Sequence, residues 1–155
     1  MTPVCRVDNV EELWEQRYDL MQPNKRKRLR RFYDAFPPVI VAVHASRSFD
    51  ADAMRVDPYF EYLRCYHKSW QEEPLSQAAD VQMRHRFMDA ITLYNDIKKN
   101  GMRDPLELIC PHMGHCHIIR GYRRLVILHV LGVKTADVLC HASFENYLAY
   151  HSMAR

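Results

Sequence analysis

The stretch Ile118-Ile119-Arg120-Gly121-Tyr122-Arg123-Arg124 decides the fold, together with the apolar run Leu125-Val126-Ile127-Leu128 and Val130-Leu131 that follows it. Ile118-Ile119 predicts a short strand, and the apolar run predicts a buried helix. Gly132 is its natural stop, because a left-handed C′ position suits a residue without Cβ. Arg123 and Arg124 then fall in the first turn of that helix. A helix N-terminus carries about half a positive charge and several unpaired N–H groups, so two arginines are unfavourable there unless an anion lies between them and the amides. Strand, glycine turn and helix N-terminus with basic side chains together make the recipe for holding a phosphate. The plainer alternative is that both arginines reach solvent beside an ordinary turn.

A length of 155 residues fits one domain with a real core. Hydrophobic residues make up 48% and charged residues 26%, which is a globular balance, and the formal charge of +3 is too mild to imply nucleic acid by itself. The five cysteines, Cys5, Cys65, Cys110, Cys116 and Cys140, are odd in number and form no CxxC pair. Reduced thiols and a cytoplasmic protein are therefore expected. Met1–Asn9 lacks a signal-peptide core, and the longest apolar runs, Val39–Val43 and Leu125–Leu128, are too short to span a bilayer.

Going outward from the turn, Asp8 or Asn9 can cap a helix over Val10–Met21. Pro23-Asn24 then opens a second helix, Lys25–Phe36, which Pro37-Pro38 should end. Leu29, Phe32, Tyr33 and Phe36 give this helix one apolar face. Its start carries Lys25, Arg26, Lys27, Arg28, Arg30 and Arg31, which suit a polyanion such as nucleic acid, or else form a solvated face. Val39–His44 is a strand candidate and Arg55-Val56-Asp57 a further extended piece. The aromatic spacing of Tyr59, Leu63, Tyr66 and Trp70 reads as core rather than as a base-stacking row. Gln71–Ala79 should be a polar loop, after which Asp80 caps a helix to Asn100, with Gly101 as terminator. Leu106–Cys110 and Cys116–Arg120 form a hairpin; a strand follows over Thr135–Cys140, then a terminal helix over Phe144–His151.

The hairpin turn gathers Cys110, His112, His115, Cys116 and His117, a ligand-rich set. Alternation along a strand sends Cys116 and His117 to opposite faces, so a metal site is not expected there. Asp104 and Glu107 are the acids nearest the glycine turn in sequence and the candidates for catalytic groups. Asp104 equally suits a turn hydrogen bond before Pro105.

The order "DIKKNG", "DPLELI", hairpin, "HIIRGYRRL", apolar helix and "LGVKTADVL" resembles the ParB/sulfiredoxin-like superfamily over about residues 89–140. The resemblance implies a small α/β (α+β) core over 81–155, a mixed sheet with packed helices; the residue pattern before it reads as an extension over 1–80, mostly helical with a short strand, within one domain. It implies nucleotide phosphates held by Gly121, Tyr122, Arg123 and Arg124, with Gly101, Asp104 and Pro105 lying against the nucleotide. Partition proteins of the superfamily carry Gly-Glu-Arg-Arg, whose acid helps hold magnesium, and sulfiredoxin carries its reactive cysteine at the same place; this chain has Tyr122 there. They also carry Gln before the loop proline, where this chain has Asp104. The fifteen residues after Cys140 are too few for a helix-turn-helix region. Three function classes follow. One is a nucleoside-phosphate-binding protein with weak phosphotransferase or triphosphatase activity and at most a loose need for magnesium. Another is a sequence-independent nucleic-acid binder or nuclease. The third is an inactive module that meets a protein partner or a second copy of itself. No membrane partner is expected.

Overall fold

The computed structural model describes residues 2–45, 54–55, 57–66 and 68–153. Its elements are β1 (Val4–Asn9), α1 (Val10–Glu15), α2 (Arg26–His44), α3 (Pro58–Tyr66), α4 (Gln77–Asn100), β2 (Leu106–Ile109), β3 (His117–Arg120), α5 (Tyr122–Val130), β4 (Thr135–His141) and α6 (Phe144–Met153). This is a mixed α+β fold, as the sequence predicts. The chain divides into two compact units, one of residues 1–26 with 102–155, the other of residues 27–101.

The first unit holds the sheet, in the order β1-β4-β2-β3. β1 runs antiparallel to β4, β4 parallel to β2, and β2 antiparallel to β3. In the parallel register Leu106 lies beside Val138 and Glu107 beside Leu139. Alternation therefore gives the sheet two distinct faces. Leu106, Leu108, Ala136 and Val138 share one face and are all buried. Glu107, Ile109 and His141 share the other. Helix α1 meets α5 through stacked rings of Trp14 and His129, 4.2 Å apart, and Glu11 Oε1 lies 2.9 Å from His129 Nδ1. Asn9 caps α1 by accepting from the Glu12 amide, and Ser143 accepts from the Asn146 amide at the start of α6.

The second unit is helical among the described residues. Its core is aromatic: Phe36 meets Tyr59 at 5.2 Å between ring centroids, and Tyr59 meets Phe87 at 5.3 Å, both edge to face. Tyr59, Leu63 and Trp70 are buried, so those members of the aromatic row belong to the core. Trp70 Nε1 donates to Gln82 Oε1 at 2.8 Å.

The structure corrects several boundaries. Val39–His44 is helix rather than strand, because α2 continues through Pro37-Pro38 to His44. An interior proline costs a helix about 3 kcal/mol and one backbone hydrogen bond. Here the loss is offset by burial: Phe36, Val39 and Ile40 are all fully buried on one stripe. Helix α1 ends at Glu15 rather than Met21, and the chain continues through turns to Met21. Ser76, not Asp80, caps α4, accepting from the Ala79 amide. β1 lies where no strand was expected. In the extended piece expected over Arg55-Val56-Asp57, Val56 lies outside the described residues and Arg55 is helical.

Replacing both Pro37 and Pro38 by alanine should raise the stability of the chain by about 1–3 kcal/mol, since it restores two helical donors at a site the core already holds. Urea unfolding measures this. A loss of stability would mean that the helix depends on a bend at the proline pair.

Candidate functional site: the glycine turn and its neighbours

β3 passes into α5 through a single residue, Gly121, with φ 114° and ψ 20°. A Cβ built there would lie 2.5 Å from Leu106 Cδ2. Both the positive φ and this contact demand glycine. With no side chain at the N-cap, α5 has no side-chain capping bond. Its first intrahelical bond runs from the Leu125 amide to the Gly121 carbonyl, so the amides of Tyr122, Arg123 and Arg124 precede the helix ladder, at the end where a helix presents its donors.

The side chains of this turn divide the work. Tyr122 is a structural lock: its hydroxyl donates to the Ile118 carbonyl and accepts from the Gln22 amide at 3.4 Å. Burial pushes its pKa up to about 12, and the two Gln22 contacts oppose that rise only in part. The phenol is therefore neutral and takes over neither the role of a metal-binding acid nor that of a thiol. Arg124 reaches back to the preceding loop, where its Nη1 donates to the carbonyls of Asp104 and Pro105, the latter at 2.9 Å. Burial lowers its pKa most, and the positive charges of Arg120 and Arg123 lower it further, against the opposing pull of Asp104 and Glu107. Arg120, Arg123 and Arg124 thus lie close enough to act on one another, with Asp104 and Glu107 opposing them.

Of the two acids, Asp104 is exposed in its loop, while Glu107 is buried at 3% exposure on the opposite face of the sheet from Leu106. Its carboxylate is met by three side chains among the described residues. His141 Nε2 lies 2.9 Å from Oε1; His151 Nε2 lies 2.8 Å from Oε1 and 3.0 Å from Oε2; Arg120 Nη1 lies 3.6 Å from Oε2. Strands β2, β3 and β4 and helix α6 are joined at this one group. A carboxylate oxygen accepts, so each Nε2 that meets it donates. The His141 Nδ1 is buried and unpaired. His151 is partly exposed where it meets this buried carboxylate. Neither histidine was singled out in the sequence, where they stand 34 and 44 residues beyond Glu107.

The other expected site residues lie as follows. Gly101 ends α4 in the second unit, at φ 75°, with its amide bonded to the Ile97 carbonyl. Pro105 is half-buried, directly before β2. Cys110 and Cys116 are joined as a disulfide, with Cα atoms 4.2 Å apart, which corrects the expectation of reduced thiols for this pair. The hairpin places the two residues opposite each other, so their spacing of six serves a cross-strand bond. His112 and His115 are exposed at the tip and His117 is half-buried. Among the described residues, no group of three His, Cys, Asp or Glu is arranged to hold a metal ion. Lys25, Arg26, Lys27, Arg28, Arg30 and Arg31 are all exposed, with Leu29, Phe32, Tyr33 and Phe36 buried on the other face of α2. No helix among the described residues is long and apolar enough to cross a membrane.

The chain matches no protein-family model, no curated protein and no solved structure.

Two outcomes test this geometry. Gly121→Ala should destabilise the chain by more than about 1 kcal/mol, because an unfavourable φ and a backbone-to-core collision add together. Gly101→Ala should cost less, since nothing stands within 4 Å of its Cβ. Comparison of the two by urea unfolding decides it. The second outcome concerns alkali. The unfolded phenol of Tyr122 loses its proton near pH 10, whereas the folded one holds it to about 12. Across that window the folded state binds the extra proton, so stability falls as pH rises, by up to about 2–3 kcal/mol. Stability measured against pH for wild type and Tyr122→Phe should show a steeper fall in the wild type. Parallel curves would contradict it.

Proposed function

We propose that the unit of residues 1–26 and 102–155 binds a phosphate-bearing small molecule, with a nucleoside phosphate as the expected class, at the turn Gly121–Arg124. One observation supports this reading: a helix begins at a left-handed glycine with no side-chain cap, and Arg120, Arg123 and Arg124 bring positive charge to its first turn. Backbone N–H groups at a helix start, beside cationic side chains, are the physical requirement for phosphate binding. In this reading Arg123 and Arg120 supply charge to the ligand, and Arg124 holds the Asp104-Pro105 loop in place beside it. The resemblance to the ParB/sulfiredoxin-like superfamily supports the same turn as the binding place. Tyr122, locked and neutral, gives no acid to hold magnesium, so binding should need magnesium only weakly. Glu107, with His151 against it, is the candidate for acid–base work if the bound ester is hydrolysed.

A second reading rests on a different observation. Of the six exposed cations, Arg26, Lys27, Arg28, Arg30 and Arg31 stand on α2, whose other face is buried, and Lys25 directly precedes it, which together suit a polyanion. Binding of nucleic acid there should be independent of sequence and fall steeply with salt.

Calorimetric titration with nucleoside triphosphates, with and without magnesium, tests the first reading. Arg123→Ala should weaken binding by about tenfold or more, in keeping with the loss of one charge-assisted contact. It should leave the fold intact by circular dichroism. Equal affinity in both proteins would overturn it. The same measurement with short nucleic acid and a variant carrying glutamine at Lys25, Arg26, Lys27 and Arg28 separates the second reading from the first.

A further inference from the structure

β1 is an edge strand, paired with β4 on one side only among the described residues. Its residues are unusually open for a strand: Val4 and Val7 are each 65% exposed, and Cys5 and Arg6 are exposed as well. An edge of this kind offers a row of backbone donors and acceptors to another strand. The pairing with β4 settles which residues offer them. Just past the strand, the Val10 amide donates to the Lys134 carbonyl. Backbone groups alternate sides along an antiparallel strand, so residues 4, 6 and 8 also turn their amides toward β4. Cys5, Val7 and Asn9 therefore direct theirs outward.

The side chains add a charge pattern. Arg6 and Asp8 lie on the same face of β1, two residues apart and bridged at 3.0 Å. A two-fold axis relating two antiparallel copies of β1 must pass opposite one of the outward-bonding residues or between a symmetric pair of them. With the axis at Val7, Val7 faces Val7 of the second copy, Cys5 faces Asn9, and every outward backbone group finds a partner. Arg6 then stands opposite Asp8 of the second copy and Asp8 opposite Arg6, at the closely spaced non-hydrogen-bonded positions. Moving the axis one residue either way sets Arg6 against Arg6, or Asp8 against Asp8. The charges select a single register.

We propose that β1 is a self-association surface, on which two copies of the chain join antiparallel, centred on Val7, into a continuous eight-stranded sheet. The occupant of the edge is a second copy because the pattern is complementary to itself: one opposite-charge pair, repeated by symmetry, flanks an apolar centre. The contact is isologous and closes at two copies. It is independent of the phosphate turn and of any activity there.

Charge exchange across the axis gives the test, read by sedimentation equilibrium from micromolar to sub-millimolar protein. The wild type should be a dimer at the upper end of that range. Arg6→Asp places Asp opposite Asp, and Asp8→Arg places Arg opposite Arg; each single variant should dimerise about tenfold more weakly or worse. Mixed together, the two single variants should form a heterodimer, since each now complements the other. The double variant Arg6→Asp/Asp8→Arg should recover the wild-type dimer. Val7→Cys should form an intermolecular disulfide on mild oxidation, mapped to position 7 in both copies, because hydrogen-bonded pairs bring Cα atoms to about 5.5 Å. A wild type that stays monomeric throughout overturns the proposal. So does a dimer that persists equally in both single variants, or a mixture of the two that fails to associate.

Discussion

The contact on which the rest of the first unit depends is the approach of Gly121 to Leu106. The side chain of Leu106 fills the space in which any other residue at 121 would place its Cβ. That approach lets β3 hand the chain to α5 within one residue while β3 stays bonded to β2. It also fixes where the first amides of α5 stand. Arg124 extends from that first turn to the carbonyls of Asp104 and Pro105, so the loop before β2 is tied to the helix after β3. Tyr122 ties the same turn to Ile118 and to the Gln22 segment. Helix start, entering loop and hairpin are thus one braced assembly, and a ligand at the turn would meet donors already in place. Prior placement of this kind saves the ordering cost that otherwise weakens binding.

A second constraint acts on the far face of the sheet. Glu107 is a buried charge, and such a group survives only with partners. His141, His151 and Arg120 supply them from two other strands and from α6. Helix α6 has no buried residue, so its hold on the sheet rests more than usual on His151 and on the rings of Tyr147 and Tyr150 about His141. Arg120 belongs to both neighbourhoods: it faces Glu107 and adds to the positive charge around Arg124. An anion at the turn would therefore act, through Arg120, on the same carboxylate that anchors the terminal helix.

What could be read from the sequence follows the range of the interactions. The strand-glycine-helix unit was legible because Ile118-Ile119, Gly121 and the run from Leu125 act locally. The buried face of α2 was legible from the spacing of Leu29, Phe32, Tyr33 and Phe36. Its continuation past Pro37-Pro38 was not, since burial of Val39 and Ile40 outweighs the local proline signal. β1 escaped notice because an edge strand with side chains open on both faces lacks the alternation that marks a half-buried strand. The roles of Tyr122 and Arg124 were hidden for another reason. Their partners named above are backbone groups, which leave no trace in residue types. Glu107, His141 and His151 are gathered from three distant segments, and the pairing of Cys110 with Cys116 waits on the register of the hairpin.

The most direct measurement follows the backbone amides of the turn by nitrogen-15 NMR while inorganic phosphate, and then a nucleoside triphosphate, is added. The account predicts saturable shifts centred on Tyr122, Arg123 and Arg124, with smaller ones at Asp104 and Leu106, and a tighter constant for the triphosphate. Shifts absent from these amides, or spread evenly over the exposed cations without saturating, would contradict it.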